Sequence, residues 1–71
     1  MPEMIPVDSS NLAAYSYDEA TRELRVKFRS GGMYAYEQVP VEVVDEMKRS
    51  SSIGTYFALH IKGQYPTHRV A

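Results

Sequence analysis

The stretch that decides the fold is ELRVKFRSGGMYAYEQVP, residues 23–40. Its first part alternates strictly: Leu24, Val26 and Phe28 are apolar, and the residues between them are charged. This period of two is typical of an antiparallel strand with one face in the core and the other in water. The SGG that follows predicts a tight turn, because glycine adopts positive φ without a Cβ clash. MYAYEQV is therefore predicted to return as the next strand of a hairpin.

The length of this turn decides which way Tyr34 and Tyr36 point, because a slip of one residue moves every side chain to the other face. If the two glycines alone form the turn, both tyrosines join the basic face and offer a stacking surface for nucleic acid. If SGG forms a three-residue turn with a glycine bulge, the tyrosines face Phe28 and Val26 in the core. We favour the second register, since the first would bury an unpaired charge at Glu37.

The remaining chain predicts one more strand and two helices. NLAAYSY at 11–17 alternates weakly and predicts a first strand, with Leu12 on one side and Tyr15 and Tyr17 on the other. Pro40 suits the first position of a helix, and an apolar stripe follows it at three, four and seven residues. The serines at 50–52 end this helix and supply an N-cap for a second. The predicted fold is α+β: a three-stranded antiparallel β-meander followed by two short helices packed on one face.

Length and composition set the class of protein. Seventy-one residues suit one small domain with a thin core. We predict an extended lead-in over residues 1–7 and a single domain over 8–70. The chain has no cysteine, which excludes disulfides and thiolate metal sites. No apolar run approaches the ~20 residues of a membrane span, and the N-terminus lacks a secretory signal. A cytoplasmic location without membrane contact is expected.

The charge is unevenly distributed along the chain. The formal net charge of −1 argues against a strong general affinity for nucleic acid. Residues 1–47 carry four bases against nine acids, whereas residues 48–71 carry four bases and no acid. Such asymmetry can mark a partner-binding end, and it also suits an ordinary solvated tail.

Two groups of side chains are candidates for binding nucleic acid. Arg25, Lys27 and Arg29 share the outer face of the second predicted strand, where the favoured interpretation is that they only solvate the open sheet. The C-terminal group mixes bases and an aromatic ring in a manner suited to RNA ends and loops. Its members are Lys48, Arg49, Lys62, Tyr65 and Arg69. Tyr65 also suits an anchor docked against the core.

No residue set adds up to catalytic chemistry. His60 and His68 have no third ligand nearby, so no metal site is expected. The serines at 9, 10 and 50–52 are explained as caps and turns. We therefore predict a non-catalytic binding module without a cofactor, which binds RNA weakly through the basic C-terminal half. The alternative is a protein-interaction module or homodimer, in which a partner covers an open sheet face or edge.

The ordered motifs of the chain resemble the KTSC domain, a small bacterial module that also occurs at the C-terminus of some lysyl-tRNA synthetases. The resemblance runs from about Val7 to Val70. It rests mainly on VDSSNL at 7–12, SGG at 30–32, Tyr-x-Tyr at 34–36, GTYF at 54–57 and IKGQYP at 61–66. It implies a stand-alone copy, no catalytic residues, and a family of no established activity for which RNA binding has been proposed. The motif residues that we interpret as structural are Gly31, Gly32, Tyr34, Tyr36 and Pro40.

Overall fold

The fold is a five-stranded antiparallel sheet with two helices packed on one face. A computed structural model describes residues 3–71, so Met1 and Pro2 of the predicted lead-in lie outside the described residues. The strands, in their order across the sheet, are β1 (Ile5–Pro6), β2 (Leu12–Asp18), β3 (Glu23–Phe28), β4 (Met33–Tyr36) and β5 (Thr67–Arg69). The helices α1 (Val41–Arg49) and α2 (Ile53–His60) lie between β4 and β5 in the chain. The α+β class and the two helices are confirmed, whereas the prediction of three strands is wrong.

Both additional strands are short segments at the edges of the predicted meander. Within the predicted lead-in, β1 pairs with β2 over only two residues. At the other edge, β5 pairs with β4 over three residues. The Val70 N–H also donates to the Met33 carbonyl at 2.8 Å. Segments this short show no usable period of two, because their pairing depends on the edge of a neighbouring strand rather than on their own sequence.

The turn between β3 and β4 has the predicted type but begins one residue earlier. Its three residues are 29–31: the Gly31 N–H donates to the Phe28 carbonyl at 3.1 Å, and the Phe28 N–H donates to the Gly32 carbonyl at 3.1 Å. Gly31 has a φ of +102°, which is the glycine bulge expected after a type I turn.

The earlier turn changes the pairing partners of the tyrosines but not the face on which they lie. Tyr34 pairs with Val26, and Tyr36 pairs with Leu24, instead of with Phe28 and Val26. Each tyrosine therefore pairs two positions earlier in β3 than predicted. A change of two positions leaves every side chain on the same face of the sheet. The core-facing side of the tyrosines is confirmed, since Tyr36 is only 4% exposed and Tyr34 packs against the core while remaining partly exposed.

A β-bulge in β2 places Leu12 on the same face as the tyrosines of that strand. Leu12 pairs with Phe28 and Ala14 with Lys27, so Ala13 is an extra residue on β2. One extra residue reverses the alternation of faces at that point. Leu12 is accordingly buried in the core together with Tyr15, and the predicted placement of Leu12 on the opposite side is wrong.

The two helices close the core over the sheet. Val44 and Met47 of α1 are buried, which confirms the apolar stripe predicted for this helix, and Phe57 of α2 is buried as well. Pro40 is the N-cap of α1 rather than its first residue. At the start of α2, the Ser52 side chain accepts a hydrogen bond from the Thr55 N–H. Within residues 3–71, neither length nor hydropathy makes any helix a candidate membrane span.

Candidate functional site

The outer face of β3 is not uniformly basic. Arg25 forms an ion pair with Glu23 on the same strand, with 2.8 Å between Nε and Oε1. Lys27 is exposed on that face. Arg29 lies in the turn after β3, where its Nε donates to the Ser9 carbonyl. The three predicted residues therefore do not form a continuous cationic surface.

The C-terminal basic group is also divided by the fold. Lys48 lies in a groove that is shared with four acidic side chains and pairs with one of them at 3.7 Å. Arg49 ends α1, and Tyr65 packs against the core. Of this group, only Lys62 and Arg69 lie near one groove. Lys62 lines the groove, and Arg69 lies over the ring of Tyr34, which also lines it.

This groove lies between the β3–β4 hairpin and the segment after α2, and we call it the aromatic groove. Its volume is about 520 Å³, within the ~300–1,000 Å³ of typical ligand sites. The lining residues are Phe28, Ser30, Gly31, Tyr34, Tyr36, Lys62, Gly63 and Thr67. None of these described lining residues is acidic.

Edge-to-face contacts fix the rings of the aromatic groove. Phe28 lies 5.7 Å from Tyr34 at an interplanar angle of 76°, and 5.7 Å from Phe57 at 66°. Tyr36 lies 5.2 Å from Phe57 at 88°. This is the arrangement that aromatic quadrupoles prefer. The rings therefore form a wall that is already ordered before any ligand arrives.

The hydroxyls of Tyr34 and Tyr36 remain free to bond to a ligand. Within residues 3–71, neither hydroxyl makes a hydrogen bond, and no fully buried side-chain oxygen lacks a partner. Both hydroxyls therefore keep some access to solvent. Burial raises the pKa of the Tyr36 hydroxyl, and the neighbouring Tyr34 adds to this effect. The Tyr36 hydroxyl is therefore protonated at neutral pH and can donate a hydrogen bond.

The two cations differ in how they are held. Arg69 Cζ lies 5.9 Å from the centroid of the Tyr34 ring, within the range of a cation–π contact. Its Nε donates to the Ala71 carbonyl at 3.0 Å, which orients the guanidinium. The Lys62 side chain is exposed at the groove. The aromatic groove thus combines the exposed charge of Lys62 and the oriented charge of Arg69 with a wall of rings.

Two of the glycines leave the groove open. Gly31 and Gly63 have φ of +102° and +79°, and a Cβ on either would have no heavy atom within 4 Å. Gly31, Tyr34 and Tyr36 are predicted from the sequence to be structural, and they also line the groove. The sequence alone gives no sign that Gly63 lies beside the hairpin, because only the path of the chain through α2 brings it there.

Several other polar side chains make local contacts. Ser9 accepts a hydrogen bond from the Leu12 N–H, and Ser50 donates to the Met47 carbonyl at 2.7 Å. The His60 ring lies tilted against the Tyr56 ring, with 4.5 Å between centroids and an interplanar angle of 37°. His68 lies 3.3 Å from a Glu37 carboxylate oxygen. Across residues 3–71, no three histidine or carboxylate side chains gather in a group that could hold a metal ion.

Known proteins resemble this chain in both sequence and structure. The family model of the KTSC domain matches residues 8–65. A lysine–tRNA ligase of Nostoc sp. is 37% identical over 62 residues, which cover 87% of this chain and 11% of the ligase. An uncharacterised protein of Stutzerimonas stutzeri is 38% identical over 61 residues, which cover 86% of each chain. The crystal structure of a KTSC domain protein from Yersinia pestis matches with a TM-score of 0.95 at 30% identity, over all of both chains.

Proposed function

The chain belongs to the KTSC domain family, and from this premise we propose that it is a non-catalytic module that binds RNA weakly through the aromatic groove. The observation that carries the proposal is the groove itself, where a wall of rings stands beside Lys62 and Arg69. Proteins that bind single strands combine stacking rings with positive charge in this way. A relative that is a lysine–tRNA ligase supports a link to RNA.

Weak affinity is expected from the charge of the chain. The net charge is −1, so no long-range attraction draws a polyanion to the whole surface. Among the described residues, Lys62 lines the groove and Arg69 lies over the Tyr34 ring at its side, and each phosphate contact contributes a share of the salt dependence. Binding through two contacts is therefore expected to be modest and to weaken gradually with salt.

Local hydrogen bonds support the non-catalytic part of the proposal. A catalytic serine needs a hydroxyl that is activated by a neighbouring base. Here the Ser9, Ser50 and Ser52 hydroxyls are engaged in a turn, a C-cap and an N-cap. These hydroxyls are therefore assigned to structure.

The test is a titration of labelled tRNA with the protein at about 50 and about 150 mM salt. Two phosphate contacts to a single-stranded region predict an affinity roughly fivefold weaker at the higher salt. Absence of binding at the lower salt, where phosphate contacts are strongest, would refute the proposal.

A matched pair of double variants locates the binding surface. Lys62→Gln with Arg69→Gln removes both cations of the groove, and Lys48→Gln with Arg49→Gln removes the same charge at the end of α1. We expect the first variant to lose most of the affinity and the second to retain it. Equal losses in both variants would show that binding depends on net charge and not on the groove.

The protein-interaction alternative stays a prediction, and one structural feature favours it. β5 is an edge strand whose three residues are all exposed, and a partner strand can add to such an edge. Light scattering together with a pull-down from lysate tests it. A strict monomer that retains no protein would count against it.

A further inference from the structure

We infer that the aromatic groove selects unpaired RNA. One splayed base lies against the partly exposed rings of Phe28 and Tyr34, with the flanking phosphates at Lys62 and Arg69. This inference rests on the proposed function and adds the structural class of the RNA. A single strand, loop or overhang is expected to bind, and a continuous duplex is not. Four features of the groove lead to this conclusion: its rings, its concave shape, its open glycines and the position of its cations.

The rings provide a contact surface that needs little reorganisation. Tyr34 is half-buried and stands between the Phe28 ring and the Arg69 guanidinium. Tyr36 is only 4% exposed and belongs to the core that supports this surface, where its ring contacts Phe57. Because these side chains are ordered by packing, a ligand does not bear the entropy cost of immobilising them. Both rings and guanidinium planes are surfaces on which bases stack.

The shape of the groove excludes bases that are already stacked. In an RNA duplex, neighbouring pairs cover both faces of each base, and the accessible minor groove displays only 2′-hydroxyls and base edges. A duplex could therefore contact only the rim of the groove. The ~300–1,000 Å³ typical of ligand sites suits a single small group, and the volume of about 520 Å³ here lies within that range. The rings can be reached only by a base that leaves its stack.

The glycines leave room for the sugar–phosphate backbone. Gly31 stands on the hairpin side and Gly63 on the α2 side of the groove, and the space where either Cβ would lie is free of heavy atoms within 4 Å. Lys62 precedes Gly63 and is exposed. A strand that places a base in the groove can thus pass close to the protein backbone beside a positive charge.

Arg69 is oriented to contact a phosphate while it remains over the ring. Its Nε is engaged with the Ala71 carbonyl, and an arginine has five N–H donors in total. The remaining donors on the two terminal nitrogens are available for a phosphate. Arg69 and Lys62 therefore supply the charge, whereas the rings distinguish an unpaired base from a paired one.

The experiment compares three labelled RNAs in fluorescence anisotropy with the full chain at about 50 mM salt. The first is a single strand of about 12 nucleotides without internal pairing, the second is the same strand annealed to its complement, and the third is a strand of equal length with abasic positions. We expect the single strand to bind at least about fivefold more tightly than either of the others, given the usual contribution of base stacking.

Two variants at one position separate stacking from charge. Tyr34→Leu removes the ring and is expected to weaken single-strand binding at least about fivefold, whereas Tyr34→Phe keeps the ring and is expected to bind within about twofold of the unmodified chain. Binding of the duplex should change in neither variant. Thermal melting verifies that both variants fold.

A further measurement needs no substitution, so the inference stays testable if Tyr34→Leu fails to fold. Addition of the single strand to the unmodified chain should shift the backbone amide signals of Gly31 and Gly63, and the duplex should leave them in place. Shifts confined to other surfaces would overturn the inference. Equal affinity for all three RNAs would also overturn it and leave weak, charge-driven RNA binding standing. No binding of any RNA at low salt would overturn the proposed function as well.

Discussion

At the scale of single residues, Gly54 controls how closely α2 approaches the segment before β2. A Cβ on Gly54 would lie 2.5 Å from Ser9 Oγ and would also collide with Asn11 Oδ1. Ser9 and Asn11 are held together by a hydrogen bond of 2.8 Å between their side chains. Any larger residue at position 54 must therefore displace an ordered turn.

Gly54→Ala is expected to lower the free energy of unfolding by about 1–3 kcal/mol, the usual cost of forcing extra atoms into a packed site. Helix propensity alone predicts the opposite sign, a gain of about 1 kcal/mol. Urea denaturation measures the difference. The control is Leu59→Ala on the same helix, where the side chain is 67% exposed and a change within about 0.5 kcal/mol is expected. A stabilised Gly54→Ala variant would contradict this account of the packing.

At the scale of elements, α2 connects the core to the aromatic groove. Phe57 contacts both Phe28 and Tyr36, and the end of the helix leads directly to Lys62 and Gly63. A helix of eight residues is too short to be stable alone and depends on its caps and on tertiary packing. The position of the groove wall therefore depends on how well α2 is terminated.

Ser52→Ala removes the N-cap of α2 and is expected to lower the free energy of unfolding by about 1 kcal/mol. The Ser52 Oγ accepts a hydrogen bond from the Thr55 N–H at 3.3 Å and donates to Thr55 Oγ1 at 3.0 Å. Ser51→Ala is the matched control, because Ser51 is an exposed neighbour outside this cap. Thermal or urea unfolding of the two variants checks the prediction. Equal effects would show that the cap does not stabilise the helix.

At the scale of the whole molecule, tyrosines join elements that are distant in the chain. The Tyr17 hydroxyl donates to the Val39 carbonyl and so links β2 to the segment before α1. The Tyr56 hydroxyl donates to Glu46 at 2.8 Å and links α2 to α1. Burial is the main cause that raises the pKa of Tyr17, Tyr36 and Tyr56, and for Tyr56 the hydrogen bond to Glu46 adds to it. The fold therefore favours the neutral form of all three.

These raised pKa values predict a loss of stability in alkali. The unfolded chain releases its tyrosine protons near pH 10, before the folded chain does. The stabilisation is therefore fully present below about pH 10 and is lost as the pH rises through the folded-state pKa values. Urea unfolding at about pH 8 and about pH 10.5 measures the fall. Tyr36→Phe should make the fall smaller, and a free energy of unfolding that stays level above pH 10 would contradict the prediction.

The sequence by itself determined the features that depend on local chemistry. The alternation in β3 follows from the period of two, and the apolar stripe of α1 follows from the helical period. The type of the β3–β4 turn follows from glycine, which alone tolerates the bulge position without strain. The core position of Tyr34 and Tyr36 follows from the cost of burying Glu37.

Only the tertiary structure decided the features that depend on contacts between distant segments. β1 and β5 exist because the edges of β2 and β4 offer backbone partners, and such pairing leaves no period in a segment of two or three residues. The bulge in β2 likewise appears only in the pairing with β3. The aromatic groove combines the hairpin with Lys62, Gly63 and Arg69, which the chain path alone brings there. No local sequence pattern predicts that these residues lie together, because their proximity results from how the helices pack on the sheet.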